Sequence, residues 1–141
     1  MSKTERGTVS VEAALLIPVL VLVAAVAMAG WRVWWAGAQV QAAAEAAARA
    51  ASVAGSAGQA HQAVGAVVEA DLRTAGLHCA DLTVQEDLAA AAGPAGTPGT
   101  VRVSITCTVT LDDLLVPGLP GSIIVRGDAS ETVDVFRRRE R

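Results

Sequence analysis

Tyrosine is absent from this 141-residue chain, phenylalanine occurs once, and the aromatic fraction is 3%. A thick aromatic core is thereby excluded. The hydrophobic mass, 52% of the residues, must be aliphatic and small. Charge is scarce as well: 18% of residues are charged, below the quarter or so usual in soluble globular domains. Lysine occurs once, at Lys3, and no Lys/Arg cluster precedes the last five residues. With a net charge of −3, that distribution excludes a strongly basic nucleic-acid binder. Two cysteines and two histidines do not make a four-ligand zinc site at any usual spacing. What the chain has instead is alanine, 30 residues of it. So much apolar content excludes disorder of the whole, and the length suits one domain with an appendage.

The apolar residues are concentrated at one end. From Ala13 to Trp31 run 19 residues without a charge. As a helix they span about 28 Å, close to the ~30 Å hydrocarbon core of a bilayer. Lys3 and Arg6 precede the run and Arg32 follows it, and all three tryptophans (Trp31, Trp34, Trp35) stand at its far end. Indole rings gather at membrane interfaces because the ring is apolar and its N–H wants a polar partner. The early cations place the amino end in the cytoplasm and the remaining chain outside.

Three fates fit this segment. It is a plain signal anchor, or a secretory signal cut after Ala29 at the small-x-small site Ala27-Met28-Ala29, or a helix whose leader is cut after Gly7. The run exceeds the 7–15 residues of a secretory h-region and has Glu12 at its door, which favours a retained helix. A carboxylate in a membrane helix is costly, about 2.5–3.5 kcal/mol at the centre and less at the edge. Cleavage after Gly7 would leave a new amino terminus on Thr8, one helical turn from Glu12. Its ammonium, from the same or a neighbouring subunit, would neutralise that carboxylate.

The string from Arg6 through Gly7, Thr8, Glu12 and Pro18 to Leu20, RGTVSVEAALLIPVL, resembles the start of TadE-like proteins. These are minor pseudopilins of the tight-adherence, or Flp-type, pilus apparatus. The resemblance implies a prepilin peptidase that cuts after Gly7 on the cytoplasmic side, Thr8 as the mature amino terminus and Glu12 as the assembly carboxylate. It implies other pseudopilins and pilus-assembly membrane proteins as partners, with a cytoplasmic ATPase complex driving assembly. It covers residues 5–31 closely and the remainder only in general layout. Ala13 follows Glu12 where major Flp pilins carry tyrosine, which disfavours a filament-building major subunit.

Outside the membrane the chain reads as α+β. Alanine is the best helix former, and Ala36 to Gly55 contains no proline, so the membrane helix is expected to continue as a rigid stalk to about Ser52. Gly55 and Gly58 bracket a break. A second helix is expected from Ser56 to Ala75, its apolar face Ala60, Val64, Val67, Val68 and Leu72, with Gly76 as its C-terminal cap. His61 reads as a solvated helix residue. Thr100–Leu111 alternates strictly, Val101, Val103, Ile105, Cys107, Val109 and Leu111 on one face, as a half-buried antiparallel strand does. Ile123–Phe136 reads as a second strand with Gly127 as a bulge, and Leu82–Gln85 as a short third one. Residues 89–99 and 116–121 read as loops.

The expected organisation is therefore a basic leader 1–7, a transmembrane helix 8–32, a helical stalk 33–55 and an external α+β domain 56–141. The whole is pilin-like, as the resemblance implies, with its single pass in the cytoplasmic membrane. Cys79 and Cys107 are the only cysteines, and in an oxidising compartment an even count predicts a disulfide from the helix end to the central strand. The alternative is two buried free thiols. No catalytic constellation is found: His78-Cys79 lacks an orienting third group. The acidic pairs Glu86-Asp87 and Asp112-Asp113 lack calcium-loop spacing and read as solvated turns. No enzyme activity, small-molecule substrate, metal or cofactor is expected. The basic end Arg137–Arg141 reads as a solvated tail or as a dock for acidic wall polymer, anionic headgroups or an acidic partner.

Overall fold

One helix, α1 (Glu5–Val53), carries both the apolar run and the Ala-rich stretch without a break. The computed structural model describes residues 5–94, 96–114, 118 and 120–133, and of residues 5–13 and 114 the helical backbone alone. The two halves of α1 do different things. Leu15 through Met28 are exposed on every side, whereas Ala36, Val40, Ala43, Ala44, Ala47, Ala48 and Ala51 are fully buried. Their three- and four-residue steps put them on one face of the helix. The stretch expected as a stalk is thus the central core helix of the α+β domain.

Gly55 and Ser56 turn the chain back into α2 (Ala57–Thr74). The Ser56 side chain accepts the Gln59 N–H at 3.3 Å, while the Gln59 side chain accepts the Gly55 N–H at 3.1 Å. This satisfies helix-start donors reciprocally, as in a capping box, with the return bond one residue earlier than usual. At the other end Gly76 takes a left-handed φ of 68°. Its N–H donates to the Arg73 carbonyl and that of Leu77 to the Leu72 carbonyl, both at 3.0 Å, a Schellman ending. Ala60, Val64, Val68 and Leu72 are buried as expected and Val67 partly so, because α2 packs alongside α1.

The sheet is three-stranded and antiparallel in chain order: β1 (Asp81–Asp87), β2 (Thr100–Thr110) and β3 (Ser122–Thr132). β2 buries Val101, Val103, Ile105, Cys107 and Val109, the face its alternation predicts, beneath α1. Leu111 departs from the expectation: it opens a one-turn helix, Leu111–Leu114, and is only half-buried. A similar turn, Ala89–Ala92, interrupts the loop expected over 89–99 and buries Ala91. Glu86-Asp87, expected as a solvated turn, instead ends β1, paired with Val103 and Arg102. The second expected strand begins one residue early and ends at Thr132; residues 134–136 lie outside the described residues. The Cys79–Cys107 disulfide is formed, with Cα atoms 5.3 Å apart. Closing a loop of 28 residues' separation, it contributes a little over ~3 kcal/mol in the chain-entropy model.

Gly127 is not a bulge. Pairing of β2 with β3 runs unbroken from Thr100↔Thr132 to Thr110↔Ser122, with Gly127 opposite Ile105. The glycine serves close approach instead. A Cβ there would lie 2.5 Å from the Val40 carbonyl oxygen and 2.7 Å from the Gln41 Cα, both backbone atoms of α1. Next to it, the Gln41 side-chain amide pairs with the backbone of Asp128: Nε2 donates to the carbonyl at 3.0 Å, and Oε1 accepts the N–H at 3.1 Å. One side chain of α1 thereby satisfies an outward-facing peptide on the free edge of β3.

Gly127→Ala should push α1 off the sheet and cost roughly 1–3 kcal/mol, the range for overpacking a tight core. Gly65→Ala, on α2 with nothing within 4 Å of the new Cβ, should stabilise by about 0.5–1 kcal/mol. Urea unfolding of the detergent-solubilised protein measures both. Equal effects at the two sites would contradict the seating of α1 on Gly127.

Candidate membrane anchor and assembly segment

Gly7, Thr8 and Glu12 lie in the first turns of α1, so the candidate processing site and the candidate assembly carboxylate share its axis. Beyond them the helix is apolar on all faces. Leu15, Leu20, Leu22 and Val26 are each more than 60% exposed. A helix apolar all round belongs in a large core or a bilayer. No other described element covers this one: its most hydropathic window, of mean hydropathy 2.5, has no buried residue. From Ala14 to Trp35 the helix rises about 33 Å, enough to cross the ~30 Å hydrocarbon core. Its composition and exposure are those of a single-pass membrane anchor.

The upper end of this shaft is marked by indoles. Trp31 and Trp34 are stacked at a tilt of 40° with ring centroids 5.3 Å apart, and both are largely exposed. Trp35 is less so, and Ala36, the next residue, is fully buried. Burial starts within one residue of the aromatic belt. Trp31, Arg32 and Trp35 line a shallow groove with Ala75, Gly76 and Leu77 from the end of α2 and with Asp113.

Histidines and acids elsewhere make pairs that residue spacing did not reveal. His61 Nδ1 lies 2.8 Å from Glu86 Oε2, joining exposed α2 to β1 across 25 positions. The Glu86 side chain is 13% exposed, His61 75%. His61 therefore has a carboxylate partner that the sequence neighbourhood lacks. His78 Nδ1 stands 3.6 Å from Asp113, and Asp112 accepts the Gly118 N–H at 3.4 Å. Arg49, on α1, reaches Glu131 of β3 at 3.9 Å, an exposed pair of small energetic weight. Among the described residues no three His, Cys, Asp or Glu side chains cluster as a metal site would require. The polar outer face of the sheet, with Arg102, Ser104 and Asp128, is broad and open. The basic stretch Arg137–Arg141 lies outside the described residues.

The features that converge are thus on α1: a glycine and a carboxylate in its first turns, a membrane-length shaft, an aromatic belt and a core-forming alanine face. The model of the family described as TadE-like protein matches residues 7–49. No curated protein and no solved structure matches the chain. The match begins at Gly7 and ends at Arg49, so it takes in the apolar run and most of the buried alanine face. It supports a role associated with the tight-adherence pilus, in company with other pilus-assembly components, and the family is generally non-enzymatic. Over residues 7–49, within the long helix that carries both the apolar run and the buried alanine face, this chain is similar to the TadE-like family.

Proposed function

We propose that the chain is a membrane-anchored minor pseudopilin that supports the assembly or anchoring of a tight-adherence pilus or a related secretion system, without enzymatic activity of its own. The observation that carries this reading is the extent of the family match. It spans α1 from Gly7 to Arg49, taking in the candidate processing glycine, the candidate assembly carboxylate, the apolar shaft and most of the buried alanine face in one helix. In this reading residues 1–7 are the leader, 8–32 the transmembrane helix and 33–55 its helical continuation, with 56–141 completing the external domain. The amino end faces the cytoplasm and the disulfide-bonded domain the outside, where oxidised cysteines persist. A prepilin peptidase removes the leader after Gly7. Thr8 then carries the free ammonium that Glu12 requires, within one subunit or between neighbours. The partners are other pseudopilins, pilus-assembly membrane proteins and the bilayer itself, and no nucleic acid or small molecule is bound.

Mass spectrometry of the protein extracted from its native membrane tests the processing step. The expected mature chain begins TVSVE. A chain beginning at Gly30 would establish a secretory signal, and an intact Met1 a plain anchor.

Glu12→Gln tests the assembly role, because it keeps the shape and removes the charge. Membrane insertion should be unchanged or improved, since a costly charge has gone. Cleavage after Gly7 should survive, while crosslinking to co-expressed pilus components should be lost. Crosslinking at the wild-type level in this variant would reduce Glu12 to an interfacial residue and overturn its role in assembly.

A further inference from the structure

The junction between anchor and domain has no linker. α1 is helical from Trp31 to Ala36 and beyond, its one proline lies far below at Pro18, and the burial of one face begins at Ala36. The rise from Trp31 to Ala36 is about 7.5 Å. The headgroup layer on each side of a bilayer is of similar depth, roughly 5–8 Å. If the indoles of Trp31, Trp34 and Trp35 occupy that layer, the residues that line one groove with Trp31 and Trp35 lie at the same level. Those residues belong to the external domain: Ala75, Gly76 and Leu77 after α2, and Asp113 in the turn Leu111–Leu114.

We propose that this base of the domain is a second membrane contact, seated in the phospholipid headgroup layer of the bilayer that α1 crosses. The proposal rests on the reading of α1 as a membrane anchor. Its occupant is the lipid surface because the groove is continuous with the aromatic end of the membrane shaft. The chemistry of the base suits an interface: the exposed indole rings offer apolar surface, while Asp113 and the exposed His78 beside it offer polar groups. The opposite end of the domain is far from this layer. Val53 stands about 27 Å above Trp35 along the helix, and Arg49 near that end reaches Glu131 at the close of β3. α2 and the sheet thus stand upright on the membrane, which leaves their sides, rather than their base, free for assembly partners.

Four cysteine variants of the full chain carry a spin label: Leu22→Cys in the shaft, Thr74→Cys and Asp113→Cys at the base, and Ser130→Cys near the distal end. Intact-mass analysis selects protein with the Cys79–Cys107 bond preserved. Each is compared in detergent and in phosphatidylethanolamine–phosphatidylglycerol vesicles by collision with oxygen and with a water-soluble nickel chelate. The expected result is oxygen-dominated collision at Leu22, full chelate access at Ser130, and loss of chelate access at Thr74 and Asp113 on entering vesicles. Chelate access at both base positions equal to that at Ser130, with Leu22 still shielded, would overturn the docking and leave the anchor intact. Chelate access at Leu22 would instead overturn the anchor and the docking with it.

Discussion

The fold depends on how closely α1 can approach the sheet. Its buried face consists of alanines with one valine, Val40, and one serine, Ser52, and the opposing strand presents Gly127 where the helix backbone passes. Small groups on both sides bring backbone against backbone, and the Gln41 amide then meets the Asp128 peptide. A larger residue at either surface would separate them. Because packed interiors tolerate little extra volume, this seat is specific to small residues rather than merely apolar. The α2 face, the β2 face and the disulfide all close around the same helix.

That arrangement explains the composition. A chain almost without aromatics forms a core because its central helix needs no large side chains: neighbouring elements come near enough to fill the space. The three tryptophans stand elsewhere, at the change from exposed shaft to buried face. The helix whose first half has the exposure of a membrane anchor is therefore also the spine of the domain.

Much of this was legible in the sequence, and the limits have physical causes. The alternation over Val101–Val109 announced β2, because a half-buried strand separates apolar from polar residues at every step. The second helix was marked by its periodic face and by Gly76. The apolar run and the Gly7–Glu12 spacing pointed to the membrane and to the family. The burial of Ala36–Ala51 was not legible. Alanines also occupy the exposed positions Ala38 and Ala42, so no face stands out by hydropathy, and the stretch reads as a stalk. Gly127 looked like a bulge because a glycine in a strand signals either a bulge or a close approach, and only the position of α1 decides between them. The His61–Glu86 and Gln41–Asp128 contacts join residues 25 and 87 positions apart, beyond the reach of local spacing.

The central claim is that one uninterrupted helix serves both bilayer and core. Amide hydrogen exchange of the full chain in lipid nanodiscs, resolved along Trp31–Ala51, addresses it directly. The account predicts slow exchange through Trp35, Ala36 and Gly37, with no faster step between the membrane shaft and the buried alanine face. Rapid exchange confined to those junction residues, between two protected segments, would reveal a hinge and contradict it.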